Sequence, residues 1–201
     1  MPRIIGLTGN IACGKTSVGH LLLELGAERY IDADAVVHRL YESGQSIAKQ
    51  VENVFGAGVM AADGSVNRKE LGTIVFRHPE EMKRLEQIVH PAVRDALLGE
   101  LALVSGTGIA IIDAVKLLEG GSGALCQSKW LVICSQEQQL ARLMARNDMS
   151  EEEALARVRA QTPASAKLAL VDEVIDNGET LVETRRQVAA AFQRFCRKFS
   201  V

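Results

Sequence analysis

Apolar residues in this chain fall into two patterns: short unbroken runs, and longer stretches in which they recur every three or four positions. Unbroken runs suit strands buried on both faces, whereas the recurrent pattern suits amphipathic helices. Ile4-Ile5-Gly6-Leu7 is the first run. Val18, Leu21, Leu22 and Leu25 mark the first helix, which Gly26 is placed to end. Tyr30-Ile31 closes a second short strand and delivers Asp32-Ala33-Asp34 to its end. Residues 35–50 read as helix, and Phe55 to Asn67, with Asp63-Gly64, as loop and turn. From Glu80 a long helix carries Met82, Leu85, Ile88 and Val89 on one face. Pro91 is expected to kink or divide it before Val93, Leu97 and Leu101 resume the stripe.

Beyond the Ser105-Gly106-Thr107-Gly108 break, Ile109 to Ile112 is another buried run, ending in Asp113, and Trp130 to Cys134 a further one. Leu140, Leu143 and Met144 mark a helix whose polar side carries Arg142 and Arg146, one turn apart. Ser150 with Glu153 spells a capping box that opens a helix toward Gln161. Val171 to Ile175 is the last strand, and Leu181, Val188, Phe192, Phe195 and Phe199 give a C-terminal amphipathic helix. Strands alternating with helices predict an α/β fold, a parallel sheet covered on both faces.

At 201 residues the chain suits one substantial core with a small insert or lid. A net charge of −2 without a polybasic block gives no support for a nucleic-acid or anionic-membrane partner. No stretch approaches the roughly 18 apolar residues of a membrane span, and no secretory signal opens the chain, so a cytoplasmic location is expected. Cys13, Cys126, Cys134 and Cys196 are scattered without a C-x-x-C pair, which suggests neither a zinc site nor a disulfide framework. Cys13 is expected to be within reach of solvent. Nothing in the sequence sets an oligomeric state.

The chemistry concentrates at Gly9-Asn10-Ile11-Ala12-Cys13-Gly14-Lys15-Thr16, which spells the phosphate loop G-x-x-x-x-G-K-S/T between a strand and a helix. Its amides are expected to wrap the β-phosphate of a nucleoside triphosphate, with Lys15 reaching the β/γ-phosphates and the Thr16 hydroxyl on Mg2+. The loop fixes the nucleotide, not the reaction. The N-K-x-D guanine-reading motif of switch GTPases is absent, whereas the parts a small-molecule kinase needs have candidates. Asp32 could orient or deprotonate an acceptor hydroxyl, or serve as a helix cap. Asp113 could hold Mg2+ as a strand-end acid, or cap the next segment. Arg142 and Arg146, and Arg157 or Arg159 from a lid, could balance phosphate charge or be solvated. His90 reads more simply as structural.

Together these fragments resemble the dephospho-coenzyme A kinase family. The resemblance runs from Ile4 to about Val188: Gly6-Leu7-Thr8-Gly9 into the loop, Ile31-Asp32-Ala33-Asp34, Phe55-Gly56, and Asp63-Gly64-Ser65-Val66-Asn67-Arg68. It continues through Leu85-Glu86-Gln87-Ile88-Val89-His90-Pro91, Leu117-Leu118-Glu119, and Gln139-Leu140-Ala141-Arg142 with Arg146 and Gln161. It closes on Asp172-Glu173-Val174-Ile175-Asp176-Asn177-Gly178. The resemblance implies a three-layer P-loop kinase domain spanning 1–201, with a helical CoA-binding excursion at about 35–105 and a lid at about 145–165. It implies transfer of the γ-phosphoryl group of ATP, with Mg2+, to the ribose 3′-hydroxyl of dephospho-CoA. It also implies Asp32 as catalytic base beside Lys15 and Arg142; Arg142, Arg146 and Asn177 on the ATP side with the loop; and Asp32, Asp34, Arg68, His90 and Glu119 on the acceptor side.

The chain departs from that family's usual spelling at six positions. Asn10 and Ala12 stand where two loop glycines are usual, Cys13 and Thr16 replace serines, Lys116 replaces a proline, and Val171 an alanine. Two rival readings follow from the loop: another small-molecule kinase, such as one acting on nucleoside monophosphates, or a nucleotide-binding protein without catalysis.

Overall fold

The computed structural model describes residues 1–147 and 149–201; position 148, within the expected lid, lies outside the described residues. The chain divides into two compact units, Met1–Asp32 with Leu101–Val201, and Ala33–Glu100.

The first unit is built on five strands: β1 (Arg3–Thr8), β2 (Arg29–Asp32), β3 (Ile109–Asp113), β4 (Ser128–Ile133) and β5 (Glu173–Asp176). They pair in the order β2-β3-β1-β4-β5, every pair parallel, with β1 in the centre. Ile5, Leu7, Ile111, Trp130 and Val132 point from the sheet toward Val18 and Leu22 of α1 (Lys15–Glu24) and Val188, Phe192 and Phe195 of α8 (Leu181–Phe199), forming the main core. On the other face Leu117 and Cys126 close over β1, so that a Cβ at Gly6 would collide with both. β3 is buried at every position, which is why it reads as an unbroken apolar run. Helices α6 (Gln136–Asn147) and α7 (Glu151–Arg159) follow β4, and Ser150 opens α7 with the predicted capping box. No helix among the described residues is long and apolar enough to cross a membrane.

The second unit holds α2 (Ala33–Leu40), α3 (Ser46–Phe55), α4 (Arg68–Val75) and nearly all of α5 (Pro79–Leu101) around Tyr41, Ile47, Val51, Val59, Val66, Leu71, Val75 and Val89. Here the structure corrects the sequence reading. The single helix expected over 35–50 is two, because the Tyr41–Gln45 turn intervenes, with Gly44 at φ +84 where a side chain would be strained. A short helix over Arg68–Val75 had gone unread; Asn67 caps it by accepting from the Lys69 and Glu70 amides. Pro91 does not divide α5, because Val89 before it and Leu97 and Leu101 after it are all buried and hold both halves in place. Val171 ends a 3-10 segment (Ala164–Leu170), so β5 begins only at Glu173, and Leu181 at the start of α8 is exposed.

Candidate active site

Gly9 to Thr16 leaves the C-terminal end of β1, the edge at which open α/β sheets bind ligands. Two glycines are dictated by space. A Cβ on Gly9 would strike the Val132 carbonyl of β4, and one on Gly14, at φ +90, would strike the Asn177 amide. Ala12 adopts φ +59 despite its side chain, which explains why a glycine is the usual occupant there. Gly14 caps α1 without any side-chain hydrogen bond, and no acid lies in the first turn; α4, α7 and α8 each have both. The free amides and dipole of α1 are therefore left for an external anion.

The loop is held from two directions. Arg142 donates to the carbonyls of Ala12 (3.2 Å) and Cys13 (3.3 Å) and to that of Asn177 (2.9 Å). The Asn177 side chain donates to the same Cys13 carbonyl at 2.8 Å and accepts from the buried Thr184 hydroxyl at 3.0 Å. Because a trans peptide points its C=O and N–H oppositely, fixing these carbonyls turns the Gly14 amide to the other side. From the segment after α7, Gln161 accepts from the Ile11 amide at 2.7 Å, and the Thr162 carbonyl accepts from Asn10 at 3.2 Å. Lys167 donates to the Asn10 side-chain oxygen at 3.2 Å. Arg146, Arg157 and Arg159 are exposed.

At the sheet edge, Asp32 and Asp113 are register partners at the ends of β2 and β3. Asp32 is exposed; Asp113 is buried, with Lys15 Nζ 3.9 Å from one oxygen and the Tyr30 hydroxyl donating to the other. Burial foremost, and then this bond to Asp113, push the Tyr30 phenol far above its ordinary range, so it stays a neutral donor. The oxygens of Thr16 and Asp113 are the hard donors that suit Mg2+, which binds through one or two carboxylates together with substrate phosphates. Glu119 is exposed in the turn after β3. Asp34, Arg68 and His90 belong to the second unit: Asp34 is exposed in the first turn of α2, Arg68 is the first residue of α4, and His90 is exposed on α5.

Cys13 departs from expectation. It is 2% exposed, wedged under the loop rather than open to solvent. A hydrogen bond from Cys134 lowers its pKa to about 7 against the opposing effect of burial, with help from Lys15, while the Cys134 thiol is pushed upward. Gln139 donates to the Cys13 sulfur at 3.5 Å. Sequence reading also passed over Tyr30 and Lys167. Tyr30 lies two positions before Asp32 on a strand and so shares its face, and Lys167 is a single cation in the apolar stretch Ala164–Leu170; both signals were present.

Comparison with known proteins gives these residues a context. The family model for dephospho-CoA kinase matches residues 3–183. The chain is 42% identical over 197 residues to dephospho-CoA kinase of Geobacillus kaustophilus, covering 97% of this chain and 98% of that one. It is equally identical to the enzyme of Symbiobacterium thermophilum, over 96% of this chain and 82% of that one. Among solved structures, TT1252 from Thermus thermophilus superposes with a TM-score of 0.83 at 33% identity, covering 96% of this chain and 97% of that one. Dephospho-CoA kinase from Campylobacter jejuni does so with a TM-score of 0.68 at 26% identity, over 98% and 99%. A shikimate kinase from Acinetobacter baumannii shares the fold alone, at 16% identity and a TM-score of 0.50.

Proposed function

We infer the reaction from one premise: this chain belongs to the dephospho-CoA kinase family. It transfers the γ-phosphoryl group of ATP to the ribose 3′-hydroxyl of dephospho-CoA, giving CoA and ADP. The observation that carries this reading is the family match over residues 3–183, nearly the whole chain. It favours neither a nucleoside monophosphate kinase nor a non-catalytic nucleotide binder.

In this reading the loop amides and the uncapped start of α1 bind the β-phosphate, and Lys15 spans the β- and γ-phosphates. Thr16 and Asp113 would hold Mg2+, which when bound neutralises charge on the phosphate oxygens. Asp32 accepts the proton of the 3′-hydroxyl and aims its oxygen at the γ-phosphorus. Its exposure and its register with Asp113 support that role. Arg142 keeps the loop in its anion-binding shape, and its charge, with that of Arg146, opposes the phosphates. Asn177 supports the loop. The unit Ala33–Glu100 is the CoA-binding part, with Asp34, Arg68 and His90 as acceptor contacts; Glu119 is a contact from the first unit, and the stretch around α7 is the lid. The reaction needs no nucleic acid or membrane, and its setting is the cytoplasm, where ATP is held.

The test is ADP release with ATP and a panel of acceptors. Dephospho-CoA should stimulate turnover and nucleoside monophosphates should not. No stimulation by dephospho-CoA would sink the assignment.

A further inference from the structure

The 3-10 segment Ala164–Leu170 is turned inside out with respect to hydrophobicity. Leu168 and Leu170 are 48% and 58% exposed, whereas Lys167 is 5% exposed. Hydrophobic burial alone would favour the opposite arrangement, and a lysine is almost never buried this deeply unless it is paired. Lys167 has one acceptor, the neutral side-chain oxygen of Asn10 at 3.2 Å, and no carboxylate partner among the described residues. That bond occupies one of the three ammonium donors and balances none of the charge.

The other cations near the phosphate loop are provided for. Lys15 Nζ has the Asp113 carboxylate 3.9 Å away, and Arg142 holds three carbonyls. Arg146, Arg157 and Arg159 are exposed and keep their charge in water. Lys167 has neither counter-ion nor water. Tying Asn10 to the segment does not explain it, because a neutral donor such as glutamine would make the same bond without a buried charge.

The place where the ammonium is held identifies the charge it lacks. Lys15 Nζ donates to the Gly9 carbonyl at 3.4 Å, and the lysine of a phosphate loop is the one that reaches the β/γ-phosphates. The start of the loop, Gly9-Asn10, is therefore its γ-phosphate end, and Lys167 arrives at Asn10. Shielded from water, an ammonium attracts a phosphate far more strongly than a solvated one does. We propose that Lys167 is a further phosphate-binding residue, its buried ammonium the counter-charge of the γ-phosphoryl group, held at the loop by Asn10. The proposal rests on the kinase reading of the site.

The test measures, by isothermal titration calorimetry, binding of Mg2+ complexes of ADP and of the β,γ-imido analogue of ATP. It compares the full chain with Lys167→Gln, which can still donate to Asn10 but carries no charge, and with Lys167→Met, which loses donor and charge together. Given what a hydrogen bond to a charged group contributes, the analogue should bind about tenfold or more weakly to both variants, while ADP affinity changes little. Equal weakening for the two nucleotides would make Lys167 a support of the loop's shape. Weakening in Lys167→Met alone would reduce it to a bracket for Asn10, and unchanged affinity in both variants would leave it no part in binding. Each of these results overturns the proposal. The kinase reading fails separately, in wild-type chain that binds the analogue yet releases no ADP when given ATP and dephospho-CoA.

Discussion

Lys167 Nζ donates to the side-chain oxygen of Asn10 at 3.2 Å, and both residues are more than nine-tenths buried. The bond joins the segment beyond α7 to the phosphate loop, at a position where the family usually has a glycine that could not make it. Asn10 is therefore a polar bracket, receiving Lys167 and donating to Thr162.

The bracket makes an asymmetric prediction. Asn10→Ala strands a buried ammonium without its acceptor and should cost about 1–3 kcal/mol or more. Lys167→Met removes the charge together with its need and should cost less. Thermal denaturation of the two variants without nucleotide checks the order; a larger loss from Lys167→Met would contradict it.

Asp32→Asn keeps the shape of the β2 end and removes the proton acceptor. A general base is worth roughly 10²- to 10⁴-fold, so kcat should fall by about that factor while ATP affinity changes little. Steady-state kinetics with dephospho-CoA varied would show it, and a wild-type kcat would remove Asp32 from the chemistry.

Arg142 holds three carbonyls with one planar fork, so its loss should loosen the loop as well as remove charge. Hydrogen bonds involving a charged group contribute about 1.5–3 kcal/mol, which predicts a tenfold or greater rise in the KM for ATP in Arg142→Ala. Lysine should not restore it, because an ammonium lacks the fork. Arg146→Ala, at an exposed position, should be much milder.

Cys13 should make stability depend on pH. The folded chain lowers its pKa to about 7 from 9.0, chiefly through the bond from Cys134. A depressed acid contributes stability that is present above its unfolded pKa and is lost as pH falls through the folded one. Urea midpoints should therefore rise between pH 7 and 9, where the folded pair releases a proton that the unfolded chain keeps. The rise should vanish in Cys13→Ser. Above pH 9 the raised Cys134 thiol acts in the opposite sense.

Where a feature depends on neighbours in the chain, the residues alone determined it. The phosphate loop is eight consecutive positions between a strand and a helix, the capping box at Ser150 and Glu153 spans one turn, and β3 announces itself because both its faces are buried. The aspartates at the ends of β2 and β3 were legible for the same reason, as polar residues closing apolar runs. Helix boundaries in the second unit were less so, because the turn after Tyr41 and the continuity of α5 through Pro91 depend on packing. What only the tertiary structure decided is how distant segments meet around the loop. Tyr30 reaches Asp113 across 83 positions, Arg142 reaches Ala12 across 130, and Lys167 reaches Asn10 across 157. No periodicity encodes such pairs. They exist because the parallel order β2-β3-β1-β4-β5 gathers strand ends from the whole chain at one edge, where buried polar groups must find partners.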